Sequence, residues 1–205
     1  MIHPTPAAWS ALMAARTDLA ADPLLMNWVQ AGYPLVIRRP AHGDAAGMIP
    51  LGLPLPPAQG KRRIAVTLSP DGVAHASPPP LLAHALTVAP PGWGACLDRL
   101  IDLDPLTRTF GSLAWQFLTG LPYLTGKSDL DLLWQPASRN VDRLLAGLAE
   151  IARAAPMRID GEIICAAGGV HWRELQERET PDVLVKGPRE NRLMERAVFL
   201  AGGTG

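Results

Sequence analysis

Hydrophobic and polar positions give the chain two textures that meet near residue 85. Before that point apolar runs are short and broken by proline and glycine. Residues 34–38, 48–53 and 61–69 read as strands, the last through its β-branched Ile64, Val66 and Thr67. Pro70-Asp71-Gly72 supplies the turn that closes that run. Helices are predicted only near the start, at residues 5–15 and 23–31. Ser77-Pro-Pro-Pro80 is a stiff spacer and the candidate boundary between two lobes. Beyond it the apolar period lengthens. Residues 94–102, 112–119 and 140–154 carry helical spacing. In the last of these, Val141, Leu144, Leu145, Leu148 and Ile151 form one stripe. Residues 189–201 read as a terminal helix. Residues 130–134, 157–166, 169–172 and 182–186 read as strands, with a hairpin turn at Ala167-Gly168-Gly169. The expected class is α+β with two lobes: a small N-terminal α/β lobe over 1–85, and a C-terminal lobe over 86–205 with a mixed sheet flanked by helices.

Composition narrows the function. Hydrophobic residues make up 48% and charged residues 19% of the 205, an ordinary globular balance. Net charge is zero, so the basic surplus of a protein that grips a duplex by its phosphates is missing. Nucleic acid is therefore not an expected partner, whereas a small phosphorylated substrate needs only a local cluster of cations. Cys96 and Cys165 lie in no zinc-type spacing and read as two thiols of a cytosolic protein. The first ten residues have no basic segment followed by a long apolar run. No run of about eighteen uninterrupted apolar residues occurs, so no membrane span is expected. The expected location is cytoplasmic.

The chemistry concentrates in Phe110-Gly-Ser-Leu-Ala-Trp-Gln-Phe-Leu-Thr-Gly120 and Lys127-Ser-Asp-Leu-Asp-Leu-Leu133. Side chains alternate faces in a strand, which points Asp129 and Asp131 the same way, about 6.5–7 Å apart along the chain. Two Mg2+ ions about 3.5–4 Å apart can be bridged by such a pair. A hard, oxygen-liganded cation also removes the repulsion between the carboxylates. Gly111-Ser112 precedes a predicted helix, where glycine lets a phosphate approach and the helix start offers free N–H groups. Arg158, Asp160 and Glu162 share one face of the next strand. Asp160 is the candidate third acid, as base or as metal ligand, with Glu162 in reserve. Lys186 closes a strand of the same lobe and is a candidate point charge for a triphosphate. Trp115 and Trp134 flank the motif and read as core. His171 reads as a structural histidine. No histidine pairs with a serine and an acid in a hydrolase motif.

Gly-Ser followed by Asp-x-Asp on a strand resembles the DNA polymerase β-like nucleotidyltransferase superfamily. Gly111-Ser-Leu-Ala-Trp-Gln116, Leu118-Thr-Gly-Leu121, Ser128-Asp-Leu-Asp-Leu-Leu133, Asp160-Gly-Glu162, Val170-His-Trp-Arg-Glu-Leu175 and Val183-Leu-Val-Lys186 narrow the likeness. They resemble the phosphoribosyl-dephospho-CoA transferases of malonate decarboxylase. Gly32-Tyr-Pro-Leu-Val-Ile-Arg-Arg39, Leu51-Gly-Leu-Pro-Leu-Pro56 and Gly60-Lys-Arg-Arg-Ile64 extend it to the first lobe. The resemblance implies a C-terminal nucleotidyltransferase lobe and an N-terminal lobe for substrate or carrier. It implies transfer of the phosphoribosyl-dephospho-CoA group from a triphosphate precursor to a serine of an apo acyl-carrier subunit, with release of pyrophosphate. The family's two essential aspartates fall on Asp129 and Asp131, and its Gly-Ser on Gly111 and Ser112. Arg38, Arg39, Lys61, Arg62 and Arg63 are phosphate-binding candidates, with Arg38 and Arg63 preferred. Two other readings remain: a generic ATP-dependent nucleotidyltransferase, and an inactive carrier-binding module.

Overall fold

The computed structural model describes residues 1–60, 62–135 and 141–202. The chain separates into two compact units, Met1–Pro79 with Leu118–Tyr123, and Pro80–Phe117 with Leu124–Gly205. The α+β, two-lobed arrangement expected from the sequence is present. Residues 80–85, placed with the first lobe by the change of texture, cluster with the second unit.

The first unit opens with strand β1 (Ile2–Pro4), helix α1 (Pro6–Ala15), and the short helices α2 (Thr17–Ala20) and α3 (Pro23–Met26). Pro6 sits at the start of α1, where its missing N–H costs nothing. The Thr5 side chain caps that end by accepting from Ala8 N at 3.1 Å. Asp22 does the same for α3, accepting from Leu24 N at 3.0 Å. Strands β2 (Val36–Ile37), β3 (Ile49–Pro54) and β4 (Arg63–Leu68) form an antiparallel sheet, and β5 (Val73–Ala76) pairs with β1. Two buried tryptophans satisfy their indole N–H groups on backbone carbonyls: Trp9 on Leu25 O at 2.8 Å, and Trp28 on Pro34 O at 2.9 Å.

The second unit holds α4 (Leu82–Ala85), α5 (Gly94–Leu103), β6 (Arg108–Thr109), α6 (Gly111–Thr119), β7 (Leu130–Trp134) and α7 (Val141–Ala154). It continues with β8 (Ile159–Cys165), β9 (Gly168–His171), α8 (Trp172–Gln176), β10 (Asp182–Lys186), β11 (Asn191–Glu195) and α9 (Arg196–Leu200). One six-stranded sheet runs in the order β11-β10-β9-β8-β7-β6. Among the described residues, β7 and β8 are the one parallel pair, and α7 lies between them in the chain as the crossover. The stripe predicted on α7 is the buried one: Val141, Leu144, Leu145, Leu148 and Ile151 all pack into the core. Each such side chain contributes about 1.5–3 kcal/mol on burial. Trp115 and Trp134 are buried, as their sequence context predicts. Among the described residues, no helix is long and apolar enough to cross a membrane.

Three sequence expectations are corrected. The terminal helix over 189–201 is instead β11 followed by the single turn α9. Gly187 and Pro188 turn the chain back, with Gly187 N bonded to Glu190 O at 3.0 Å, and β11 pairs with β10 at five positions. Sheet pairing outweighs a helical pattern of weak amphipathicity. The helix over 23–31 stops at Met26. Trp172 leaves the strand predicted for it and starts α8. Lys61 and Asn140, the first residues of a predicted strand and helix, lie outside the described residues.

Gly161 shows how tightly the parallel pair is packed. A Cβ there would lie 2.5 Å from Leu132 O and 2.6 Å from the Trp134 ring. Gly161→Ala is expected to cost about 1–3 kcal/mol of stability by overpacking. A urea midpoint unchanged from wild type would show that β7 and β8 can separate freely.

Candidate metal centre

The six-stranded sheet is closely covered on one face. Leu130, Leu132 and Trp134 of β7, Ile159, Gly161 and Ile163 of β8, and Val183 and Val185 of β10 are buried. The alternate residues Asp131, Leu133, Asp160 and Glu162 are half-buried, and Leu184 and Lys186 are exposed. This second face carries the polar chemistry.

Asp131 and Asp160 are direct register partners in the parallel pair β7 and β8. Neighbouring strands run about 4.8 Å apart, so the two carboxylates start from adjacent backbones. Asp129 stands just before β7, where Leu130 N donates to Arg158 O at 2.9 Å and ties the segment to β8. One carboxylate oxygen from each of Asp129, Asp131 and Asp160 lies within 4.8 Å of the other two. The convergence is tighter than the strand spacing between Asp129 and Asp131 suggests. Three carboxylates with no sulfur or nitrogen donor form the ligand set of a hard cation such as Mg2+.

Gly111 sits against this cluster. Its φ is +61°, a backbone that side chains other than glycine rarely adopt. A Cβ there would lie 1.8 Å from Asp131 Oδ2 and 2.6 Å from its Cγ. The corner before α6 is also bound to the Asp131 backbone. Phe110 N and the Thr109 hydroxyl both donate to Asp131 O, at 3.0 and 2.9 Å. Ser112 follows, half-buried in the first turn of α6. The Gly-Ser pair and the aspartates, eighteen residues apart, therefore meet through backbone contacts.

Among the described residues, three donors hold Asp160. Its Oδ1 accepts from Gly161 N at 2.8 Å and from His171 Nε2 at 2.6 Å. Its Oδ2 accepts from Arg158 at 3.3 Å. Partial burial pushes the Asp160 pKa up, but the His171 and Gly161 hydrogen bonds and the neighbouring positive charge outweigh it. The carboxyl ends below its ordinary value of 3.8. Glu162, the reserve third acid, is turned to Lys186, with Nζ 2.6 Å from its carboxylate. The cluster thus contains Asp160 and not Glu162. Lys186 lies on the same sheet face, with its charge shared with Glu162.

The basic candidates of the first unit behave differently. Arg38 closes a two-pronged ion pair on Asp44, at 2.7 and 2.6 Å, and also donates to Leu51 O and Arg39 O. Its guanidinium pins its own loop. Arg62 stands 3.8 Å from Asp22, and Arg63 is exposed at the first position of β4. His171 is the residue that sequence reasoning passed over. Its position just ahead of a helix-forming Trp-Arg-Glu-Leu stretch was the only signal, and the contact with Asp160 arises from the pairing of β8 with β9.

Fold and site define a two-unit α+β protein with an acidic centre on one face of a mixed sheet. Family models described as the N-terminal and C-terminal domains of the phosphoribosyl-dephospho-CoA transferase MdcG match residues 2–79 and 81–197. A phosphoribosyl-dephospho-CoA transferase of Bradyrhizobium diazoefficiens is 44% identical, over 100% of this chain and 92% of its own. Proteins of the same name from Xanthomonas campestris pv. campestris and Xanthomonas axonopodis pv. citri are 38% and 35% identical, over 87% and 94% of this chain and 86% and 91% of theirs. No solved structure matches the chain. The chain belongs to the phosphoribosyl-dephospho-CoA transferase family. The sequence expectations of this family and of a transferase are both met.

Two measurements test the geometry. Gly111→Ala forces a methyl group onto the Asp131 carboxylate and strains a left-handed backbone, at about 1–3 kcal/mol. It is expected to displace Asp131 and abolish turnover, and a variant with wild-type activity would contradict the packing described. Separately, the Arg38 hydrogen bonds, joined by the Ala41 N–H, hold the Asp44 carboxyl at about 2 against an ordinary 3.8. A folded value below the unfolded one stabilises the fold above pH 3.8, and the contribution disappears as pH falls through about 2. NMR titration of Asp44 should show this depressed value and its return toward 3.8 in Arg38→Leu.

Proposed function

We propose that this chain transfers the 5-phosphoribosyl-3′-dephospho-CoA group from 2′-(5-triphosphoribosyl)-3′-dephospho-CoA to a serine of the apo acyl-carrier subunit of malonate decarboxylase. The convergence of Asp129, Asp131 and Asp160 beside Gly111-Ser112 carries this reading. The names of its relatives and the family's motifs narrow the donor and the acceptor. In the reaction the serine oxygen bonds to the phosphorus next to the ribose. The bond from that phosphorus to its bridging oxygen breaks, pyrophosphate leaves with the electron pair, and the hydroxyl proton passes to solvent.

Asp129, Asp131 and Asp160 would hold Mg2+, which supplies charge neutralisation at the triphosphate and at the three carboxylates. Asp160 serves better as a ligand than as a base. A carboxyl kept below its ordinary pKa is a poor proton acceptor and a good anionic ligand. Gly111 lets the Asp131 carboxylate lie against the start of α6, and Ser112 stands beside it. Lys186 offers a cation once the substrate competes with Glu162 for it. Arg63 is free of the fork that engages Arg38 and remains the better phosphate candidate of the two. Free thiols at Cys96 and Cys165 suit a reducing cytoplasm.

Incubating the protein with the triphosphate donor, Mg2+ and apo carrier should add the mass of one prosthetic group to the carrier, read by intact mass spectrometry. EDTA should stop the gain. Asp129→Ala and Asp131→Ala should each lower the rate by more than about 100-fold, beyond what loss of an outer hydrogen-bond partner does. Labelling from ATP but never from the donor would point to a generic nucleotidyltransferase. Transfer that survives both substitutions would overturn the metal-centre reading.

A further inference from the structure

Among the described residues, His171 is bound directly to the cluster, with its Nε2 2.6 Å from Asp160 Oδ1. It ends β9 and stands at the N-cap of α8, with φ −62° and ψ 130°. Both ring nitrogens are engaged. Nδ1 accepts from Arg173 N at 3.2 Å, and Nε2 lies 2.6 Å from Asp160 Oδ1. A backbone N–H can only donate, so Nδ1 carries a lone pair and the ring proton belongs on Nε2. The helix cap therefore selects the tautomer that can donate to Asp160. The ring is also fixed in place by its neighbours. It is 24% exposed, and Trp172 beside it is fully buried.

We propose that His171 is a positioning residue for Asp160. Its Nε2–H, together with the Gly161 N–H, holds Oδ1 and sets the rotation of the carboxylate at which one of its oxygens joins those of Asp129 and Asp131. Among the described residues, Oδ2 has the longer contact of 3.3 Å to exposed Arg158. The arrangement matches the way outer-shell donors orient ligating carboxylates, where loss of such a donor weakens metal binding by about 10–100-fold. The Nε2–H donor orients the carboxylate without itself being a ligand of the metal. The inference rests on the metal centre proposed above.

The two bonds of His171 can be separated by substitution. His171→Asn keeps an acceptor for Arg173 N, asparagine being a good N-cap, but its amide is too short to reach Asp160. His171→Gln gives up the cap and extends a donor toward Asp160. Mn2+ binding followed by electron paramagnetic resonance, with no donor or carrier present, reads the centre without turnover. His171→Asn is expected to weaken Mn2+ by about 10-fold or more and His171→Gln by less than about 3-fold. Transfer rates should follow the same order. Nitrogen-15 NMR of the wild type above the histidine titration range should show the Nε2–H tautomer at His171. Wild-type Mn2+ affinity in His171→Asn, equal losses in both variants, or an Nδ1–H tautomer would each overturn the inference. A wild type that binds Mn2+ but transfers nothing would instead count against the proposed reaction. A wild type that binds no Mn2+ would remove the centre and this inference with it.

Discussion

The parallel pairing of β7 with β8 is the constraint on which the site depends. Its register sets Asp131 beside Asp160, and Asp129 joins them from the residue before β7. Two carboxylates about 5 Å apart repel by about 3 kcal/mol at an effective dielectric of about 20. Three such groups meet here, so the arrangement opposes folding unless other interactions hold it. Gly161 contributes twice. It lets Leu132 O and the Trp134 ring approach β8, and its N–H bonds Asp160. On the far face α7 presses five apolar side chains into the core and fixes the crossover that a parallel pair requires. The buried face thus supplies the stability that the acidic face spends.

The same strand pair explains the corner before α6. Thr109 and Phe110 both bond the carbonyl of Asp131, so β6 and the start of α6 are referenced to the backbone of a metal-ligand candidate. Gly111 is the consequence. With the Asp131 carboxylate resting on its Cα, only a residue without a Cβ fits, and the left-handed turn into the helix reinforces that choice. A Gly-Ser signature read for its phosphate-binding potential turns out to have a packing reason as well.

What the sequence disclosed follows from locality. Asp129 and Asp131 were legible because strand alternation is a two-residue rule, and Asp160 because the same rule applied to a second acidic strand. The α7 stripe was legible because its period repeats over four turns. Lys186 was correctly placed on the site-bearing lobe, but its partner was not. The Glu162 contact crosses from β8 to β10, twenty-four residues along the chain. Arg38 looked like a free cation among basic residues, yet it is satisfied by Asp44 in a local loop that no periodicity marks. The β11 hairpin was missed for a related reason. Residues 189–201 carry helical spacing, yet the Gly187-Pro188 turn makes pairing with β10 the shorter route.

His171 was hidden by the same limit, and its case shows what sequence patterns leave out. An Asp-Gly-Glu strand and a Val-His-Trp strand each look complete alone. Only the antiparallel register of β8 and β9, which sets Glu162 opposite His171, brings the ring within reach of Asp160 on the neighbouring position. The N-cap bond to Arg173 then decides which nitrogen holds the proton, and with it whether the ring can donate. A local capping interaction thereby governs a nonlocal contact at the centre. The choice of acid follows from the same contacts. Glu162 is paired with Lys186 at 2.6 Å and withdrawn from the cluster, whereas Asp160 is held by Gly161 N and His171 Nε2, with Arg158 at the longer distance of 3.3 Å. The two carboxylates were indistinguishable by alternation, and their hydrogen-bond partners separate them.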